Sequence, residues 1–446
     1  MRESLPLAAP NLTFKKMRDF YIVLNPGIPN VMVIDSVARE ILRLCNGKTR
    51  LDEMADRVLA ASSDNKTKRE DIERFINSLS ESGFVTHKAH APRPIQSQSI
   101  QKPLRVHLHI TRECNLRCKH CYARAGKPHQ AELSDTDILS IVTQFADLGG
   151  EQITITGGEP LLRRELLYQI VEKAKEWGIK AVNVETNGTL VTAEDAEVFE
   201  KTGTKVSVSL DGATSDTCNY IRGGFAFEKA TEALRRLARS KVDTAIGMTL
   251  MSHNLKDSGK IVRLAKKLGV NVLSLNSIRI IGRAEEYPNL AASTNDVTRA
   301  FVRAWRTGRK LGVRTSFEKQ IEQLKSLSRK QGCGAGSSFL TVTANGNVYP
   351  CNMLQKPEFV AGNVRKQSLA QIWKTSPVLA TFRKIDIHDV PKCRSCELRY
   401  ICGGCPADSY LGYHDLMQNP PSCAFYRKIC WVAVKEMARQ MWQEAQ

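Results

Sequence analysis

The chain has no run of about 18 apolar residues, so nothing in it reads as a membrane-spanning helix. Its start, "MRESLPLAAPNLTFKKM", lacks the apolar core of a secretory signal. No compact block of Arg and Lys with interleaved aromatics occurs, although Lys and Arg outnumber Asp and Glu by 65 to 46. That absence weighs against a nucleic-acid groove. The net charge of +19 then favours an acidic peptide or cofactor as partner, or marks only a solvated surface. With neither membrane anchor nor secretory start, the expected compartment is the cytoplasm. Disulfides are rare there, and 13 is an odd number of cysteines, so metal or iron–sulfur ligation is the leading reading.

The 446 residues, 42% of them hydrophobic, can bury a real core and are long enough for several domains. Residues 1–90 read as a small module. "FYIVLNPG" and "VMVID" are short strands around a Pro-Gly turn. "SVAREILRLCNG", "TRLDEMADRVLAA" and "KREDIERFINSLSESGFV" are amphipathic helices, giving a winged-helix-like shape. Residues 91–103 are polar, Pro-containing and aperiodic, as in a linker. From 104 to 320 strands alternate with helices, beginning "LRVHLHIT", "EQITITGG", "KAVNVETNG", "KVSVSLDG", "TAIGMTLMS" and "VNVLSLNSI". Six βα units predict an α/β fold with a parallel sheet, a partial (β/α)6 barrel. From 321 to 446 the chain is Cys-, Gly- and turn-rich, with an Asn-Gly hairpin in "SFLTVTANGNVYPC".

"ECNLRCKHCYARAG" places Cys114, Cys118 and Cys121 on a loop directly after the first barrel strand. Three thiolates holding an iron–sulfur cube leave one iron without a protein ligand, and an open coordination position distinguishes a catalytic centre from a structural one. A zinc site borrowing a remote fourth ligand fits the spacing as well. "TGGEP", "ETNGT" and "SLDG" also directly follow predicted strands, which gathers the unusual loops on one end of the sheet.

These motifs together resemble the radical S-adenosylmethionine (AdoMet) enzymes over residues 104–280: C-x3-C-x-aromatic-C, then "TGGEP", then "SLDG". The resemblance implies that the methionine end of AdoMet is the fourth ligand. It also implies reductive cleavage to a 5′-deoxyadenosyl radical, which abstracts hydrogen from the substrate. His120 would pack near the adenine. Gly157, Gly158 and Glu159 would meet the amino group; Thr186 and Asn187, or Ser209 and Asp211, the ribose or carboxylate; Arg222 the carboxylate. Cys218, just beyond a barrel strand, is a candidate hydrogen-atom donor, against a plain reading as a small semi-buried residue.

The C-terminal cysteines are similar to a SPASM domain, which carries two auxiliary [4Fe–4S] clusters, three in all with the radical one. By family order Cys393, Cys396, Cys402 and Cys423 hold the distal cluster, and Cys333, Cys351 and Cys405 the proximal one, which is expected to keep an open iron site, Cys430 being the alternative fourth ligand. "CGGC" is C-x2-C where the usual spacing is C-x3-C, a form shared with haem-pathway members. Residues 12–87 resemble the precursor-peptide recognition element of pyrroloquinoline quinone synthesis, whose known mode is strand addition by a leader peptide. The reading is a radical enzyme that modifies a ribosomally made peptide by thioether formation, crosslinking or epimerisation. It would be fed electrons by a flavodoxin- or ferredoxin-type donor. The alternatives are a radical enzyme of tetrapyrrole or other cofactor biosynthesis, and a non-catalytic zinc scaffold.

Overall fold

Side-chain alternation and helical caps account for most of the architecture. The computed structural model describes residues 5–28, 30–61, 68–86, 102–318 and 333–446. The linker expected over 91–103 lies, up to residue 101, outside the described residues. The chain divides into two compact units, one of residues 1–98, 320–332 and 386–446, the other of residues 99–319 and 333–385.

In the first unit, β1 (Leu7–Ala8) pairs with β5 (Val85–Thr86), while β2 (Thr13–Lys16), β3 (Tyr21–Asn25) and β4 (Asn30–Ile34) form an antiparallel sheet. β2 was not legible because only Phe14 among its residues is a strong strand former, and its lysines keep it at an edge. Helices α1 (Ser36–Leu44), α2 (Leu51–Ala61) and α3 (Arg69–Glu81) follow. Asp35, one residue before the expected serine, caps α1 by accepting from Ala38 N at 2.7 Å. Val23, Ile34, Met54, Ile72, Ile76 and Leu79 form the core between sheet and helices. The other face of the sheet is covered too: Ile22 and Leu24 are 0% and 2% exposed. There the long C-terminal helix Cys423–Ala445 packs, with Trp442 stacked on Phe20 at 5.2 Å and Lys15 over the Trp431 ring at 4.8 Å.

In the second unit, six strands run parallel in sequence order: β6 (Arg105–His109), β7 (Gln152–Thr156), β8 (Ala181–Thr186), β9 (Lys205–Ser209), β10 (Thr244–Leu250) and β11 (Val272–Ser277). Each βα connection places its helix on the outside, and capping boxes such as Ser134 with Asp137 start those helices cleanly. Val182 and Val184 of β8 occupy its buried face, while Asn183 and Glu185 share the other. The sheet goes beyond six strands. β12 (Arg314–Thr315) extends it past β11, and β13 (Phe339–Val342) lies parallel to β6 on the opposite side. β13 forms the expected Asn-Gly hairpin with β14 (Asn347–Tyr349), closed by Gly346 at φ +87°, and β15 (Gly362–Asn363) completes ten strands. The hairpin of the Cys-rich tail is therefore continuous with the barrel sheet. No helix of the described residues is long and apolar enough to cross a membrane.

Candidate functional site

Loops after β6, β7, β8 and β9 meet at one end of the parallel sheet, as expected for chemistry carried on strand C-termini. The cysteine loop begins under tight control. Glu132 accepts from the Thr111 hydroxyl at 2.9 Å and from Arg112 N at 2.7 Å, and Cys114 N donates to Gly126 O at 2.8 Å. Gly158 N then donates to Thr111 O and Glu159 N to Glu113 O, both at 2.7 Å. A Cβ at Gly157 would sit 2.2 Å from Thr111 O, and one at Gly158 only 1.8 Å from Glu113 O. The close approach that demands glycine here is to the cysteine loop's own backbone.

Glu159 is fully buried. Its carboxylate accepts from the Thr186 hydroxyl at 2.7 Å, Asn187 N at 2.8 Å and Leu161 N at 3.2 Å. Burial raises its pKa, against those hydrogen bonds. The expected role on an ammonium must share the carboxylate with three donors that tie the loop after β8 to the one after β7. Asn187 reaches the cysteine loop: its Nδ2 donates to Asn115 Oδ1 at 2.8 Å and lies 4.0 Å from Cys114 Sγ.

Asp211, fully buried, gathers the other candidates. Its Oδ2 lies 2.7 Å from Arg222 Nη2 and 3.2 Å from His120 Nε2, and its Oδ1 accepts from Thr249 N at 2.7 Å. Arg222, the residue expected to meet a carboxylate, already has one, and its Nη1 is 3.9 Å from Cys118 Sγ. Burial is the largest influence on His120 and lowers its pKa, which favours the neutral ring. His120 Nδ1, Arg222 Nε and Asp211 Oδ2 are all buried without a hydrogen-bond partner. Ser209 stands half-buried at the end of β9. Cys218, on the helix Ser215–Arg222, has no exposed surface, and burial pushes its thiol up to about 12. It packs beside Gly212, whose missing Cβ leaves room for Cys218 N.

Burial, and then Glu159 and the neighbouring thiol of Cys121, raise Cys114, and burial holds Cys118 up at about 11. Three soft donors, each with an N–H group beside it, together with unpartnered buried polar atoms, fit an iron–sulfur cluster with a polar ligand on its open side. A cavity of 230 Å³ adjoins the two glycines, lined by His109, Thr111, Arg112, Tyr349 and Gln355.

One residue at the site carried no motif in the sequence. Arg283, in "IIGRAEE" after β11, donates to Cys118 O at 2.9 Å and to Ala125 O. Its place in a loop after a barrel strand was the available signal. In the first unit, Cys393 is raised to about 11 by burial and then by its neighbours Cys402, Cys396 and Cys423. Gly403 and Gly404, at φ +78° and +68°, supply the left-handed turn that lets C-x2-C serve here. Cys405 lies in the first unit, Cys333 and Cys351 in the second.

Three family profiles match: the Radical SAM superfamily over residues 108–265, the SPASM iron–sulfur cluster-binding domain over 333–397, and the coenzyme PQQ synthesis protein D (PqqD) over 21–85. The chain is an enzyme that carries a radical SAM domain. An AdoMet-dependent heme synthase from Nitratidesulfovibrio vulgaris is 28% identical to this enzyme over 359 residues, 76% of this chain and 96% of that protein. The mycofactocin maturase MftC of Mycobacterium tuberculosis is 27% identical over 341 residues, 74% of this chain and 86% of that one. Among solved structures, Streptococcus suis SuiB bound to its precursor peptide SuiA shares the fold at 16% identity and TM-score 0.60, covering 94% of this chain and 99% of that one. anSMEcpe with bound AdoMet matches at TM-score 0.64 and 19% identity, over 76% of this enzyme and 94% of that chain. AdoMet and iron–sulfur clusters are therefore the cofactors of this enzyme.

Proposed function

We propose that this enzyme modifies a ribosomally synthesised precursor peptide. The observation that carries the reading is the PqqD-type module over residues 21–85, joined in one chain to the radical SAM and SPASM regions. A leader would add as a strand to the sheet of β2, β3 and β4, leaving the core peptide to reach the open end of the barrel. When bound, the Cys114–Cys118–Cys121 cluster and AdoMet supply one-electron C–S cleavage and a 5′-deoxyadenosyl radical. The chain's own groups bind and orient. Nδ1 of neutral His120 is an acceptor suited to the adenine amino group. Arg222 Nε is the donor left over for the AdoMet carboxylate, the other end of its guanidinium being held by Asp211. Backbone carbonyls beside Gly157 and Gly158, with the remaining lone pair of Glu159, suit the ammonium. Thr186, Asn187 and Ser209 border the ribose. The auxiliary sets follow family order, Cys393, Cys396, Cys402 and Cys423 in one, Cys333, Cys351 and Cys405 in the other, for three clusters reduced by a flavodoxin- or ferredoxin-type donor.

The second reading, tetrapyrrole chemistry, is favoured by the heme synthase relative and by the "CGGC" spacing. One experiment separates them. Reconstituted enzyme with dithionite and AdoMet is offered the short peptide encoded beside its gene, and separately iron coproporphyrin. A mass change in the peptide coupled to 5′-deoxyadenosine, with the porphyrin unchanged, is expected. The reverse outcome would replace the peptide reading.

A further inference from the structure

Arg283 is a buried cation, 7% exposed, with no carboxylate partner among the described residues. The other buried guanidinium of the site, Arg222, is paired with Asp211 at 2.7 Å. Burial of a charge without its counter-charge is strongly unfavourable, and arginine cannot shed its proton to escape. The hydrogen bonds Arg283 does make go to one place. Nη1 donates to Cys118 O at 2.9 Å, Nη2 donates to Ala125 O, and its backbone N donates to Cys121 O at 2.9 Å. The fork thus spans the loop from its second cysteine to beyond its third. Gly282 brings the segment in: at φ +61°, a Cβ there would meet Tyr122 O at 2.2 Å and Cys121 O at 2.6 Å. The two residues press the loop after β11 onto the cysteine loop. Glu285 and Glu286 of that segment are paired with Arg124, and the anionic charge left to face Arg283 is that of the cysteine thiolates.

We propose that Arg283 is a positioning residue and the fixed counter-charge of the cluster held by Cys114, Cys118 and Cys121. This rests on the cluster reading above. Its fork holds the carbonyls of residues 118 and 125, so the thiols stay convergent. Its charge favours the reduced cluster, because reduction adds an electron to a group that three thiolates already make anionic, and net charge with hydrogen bonding sets such potentials.

The test is a redox titration of the anaerobically reconstituted full-length enzyme, following the radical cluster by electron paramagnetic resonance without AdoMet. A variant with all three loop cysteines replaced by alanine supplies the auxiliary background. Arg283→Gln is expected to move the midpoint of this cluster to more negative potential and leave the auxiliary signals alone. Arg283→Lys keeps the charge and loses the fork. It is expected to hold the midpoint near wild type while iron loss to a chelator quickens roughly tenfold, about one net hydrogen bond. A wild-type midpoint in Arg283→Gln would overturn the proposal. If Arg283→Gln holds no loop cluster, Arg283→Lys decides: retention at the wild-type midpoint supports the charge role, and equal loss overturns it. A loop signal that survives removal of all three cysteines would instead refute the cluster reading itself.

Discussion

Asp211 carries two cationic or polar neighbours on one buried carboxylate, and this makes it the most consequential single residue of the proposed AdoMet site. Replacing it with Asn leaves Arg222 charged, buried and poorly matched. Breaking one side of such a pair costs about 3 kcal/mol, so Asp211→Asn should unfold at lower denaturant concentration even without cofactor. Asp211→Asn combined with Arg222→Gln should recover part of that loss in a double-mutant cycle; strict additivity would show that the two residues act separately. Gly158→Ala is a steric case. With its Cβ 1.8 Å from Glu113 O, the loop cannot stay where it is. The variant should fold yet fail to take up iron at the Cys114–Cys118–Cys121 loop, as iron analysis would read. The letters of "TGGEP" and "SLDG" were legible in the sequence. That the glycines serve the cysteine loop, and that Asp211 faces His120 and Arg222, were not, because both depend on contacts between distant loops.

At the scale of elements, the cysteine loop and the C-terminal helix make separable predictions. Alanine at Cys114, Cys118 and Cys121 together should lower iron from about twelve to about eight per chain, four per cube, and abolish 5′-deoxyadenosine formation. The distal set, whose cysteines lie in the other unit, should keep its iron. The helix Cys423–Ala445 starts on Cys423, proposed above as a distal ligand, and covers the second face of the β2–β3–β4 sheet. Removing residues 1–90 would strip that helix of its partner as well as remove peptide recognition. Phe20→Ala is the cleaner probe. It deletes a ring that is 6% exposed and stacked on Trp442, and should cost about 3 kcal/mol in unfolding. It should also loosen the distal cluster, seen as faster iron release to a chelator. Unchanged stability and iron retention would mean that sheet and helix merely touch.

For the whole molecule, acid stability should report on β6. His107 and His109 are lowered to about 4 and about 3, burial being the largest cause for each, with a neighbouring cation, Arg105 for the first and His107 for the second, adding to it. The folded protein therefore keeps both rings neutral where the unfolded chain, near 6.5, binds protons. Their contribution is fully present above pH 6.5 and is lost as pH falls toward 4 and then 3, at up to about 1.4 kcal/mol per pH unit for each proton. His107→Gln with His109→Gln should flatten the loss of unfolding free energy between pH 6.5 and 4. An unchanged slope would place the acid sensitivity elsewhere.

The sequence by itself determined the parallel sheet and the cofactor class. Strand periodicity, capping residues and short cysteine spacings are local, and local chemistry is written in consecutive residues. Only the tertiary structure decided that the tail hairpin continues the barrel sheet beside β6, that the last helix covers the second face of the first sheet, and that Cys218 is sealed away. It alone brought Arg283, more than 160 positions from the cysteine loop, onto the carbonyls of that loop. Each of these depends on which distant surfaces bury one another, and no spacing along the chain encodes that.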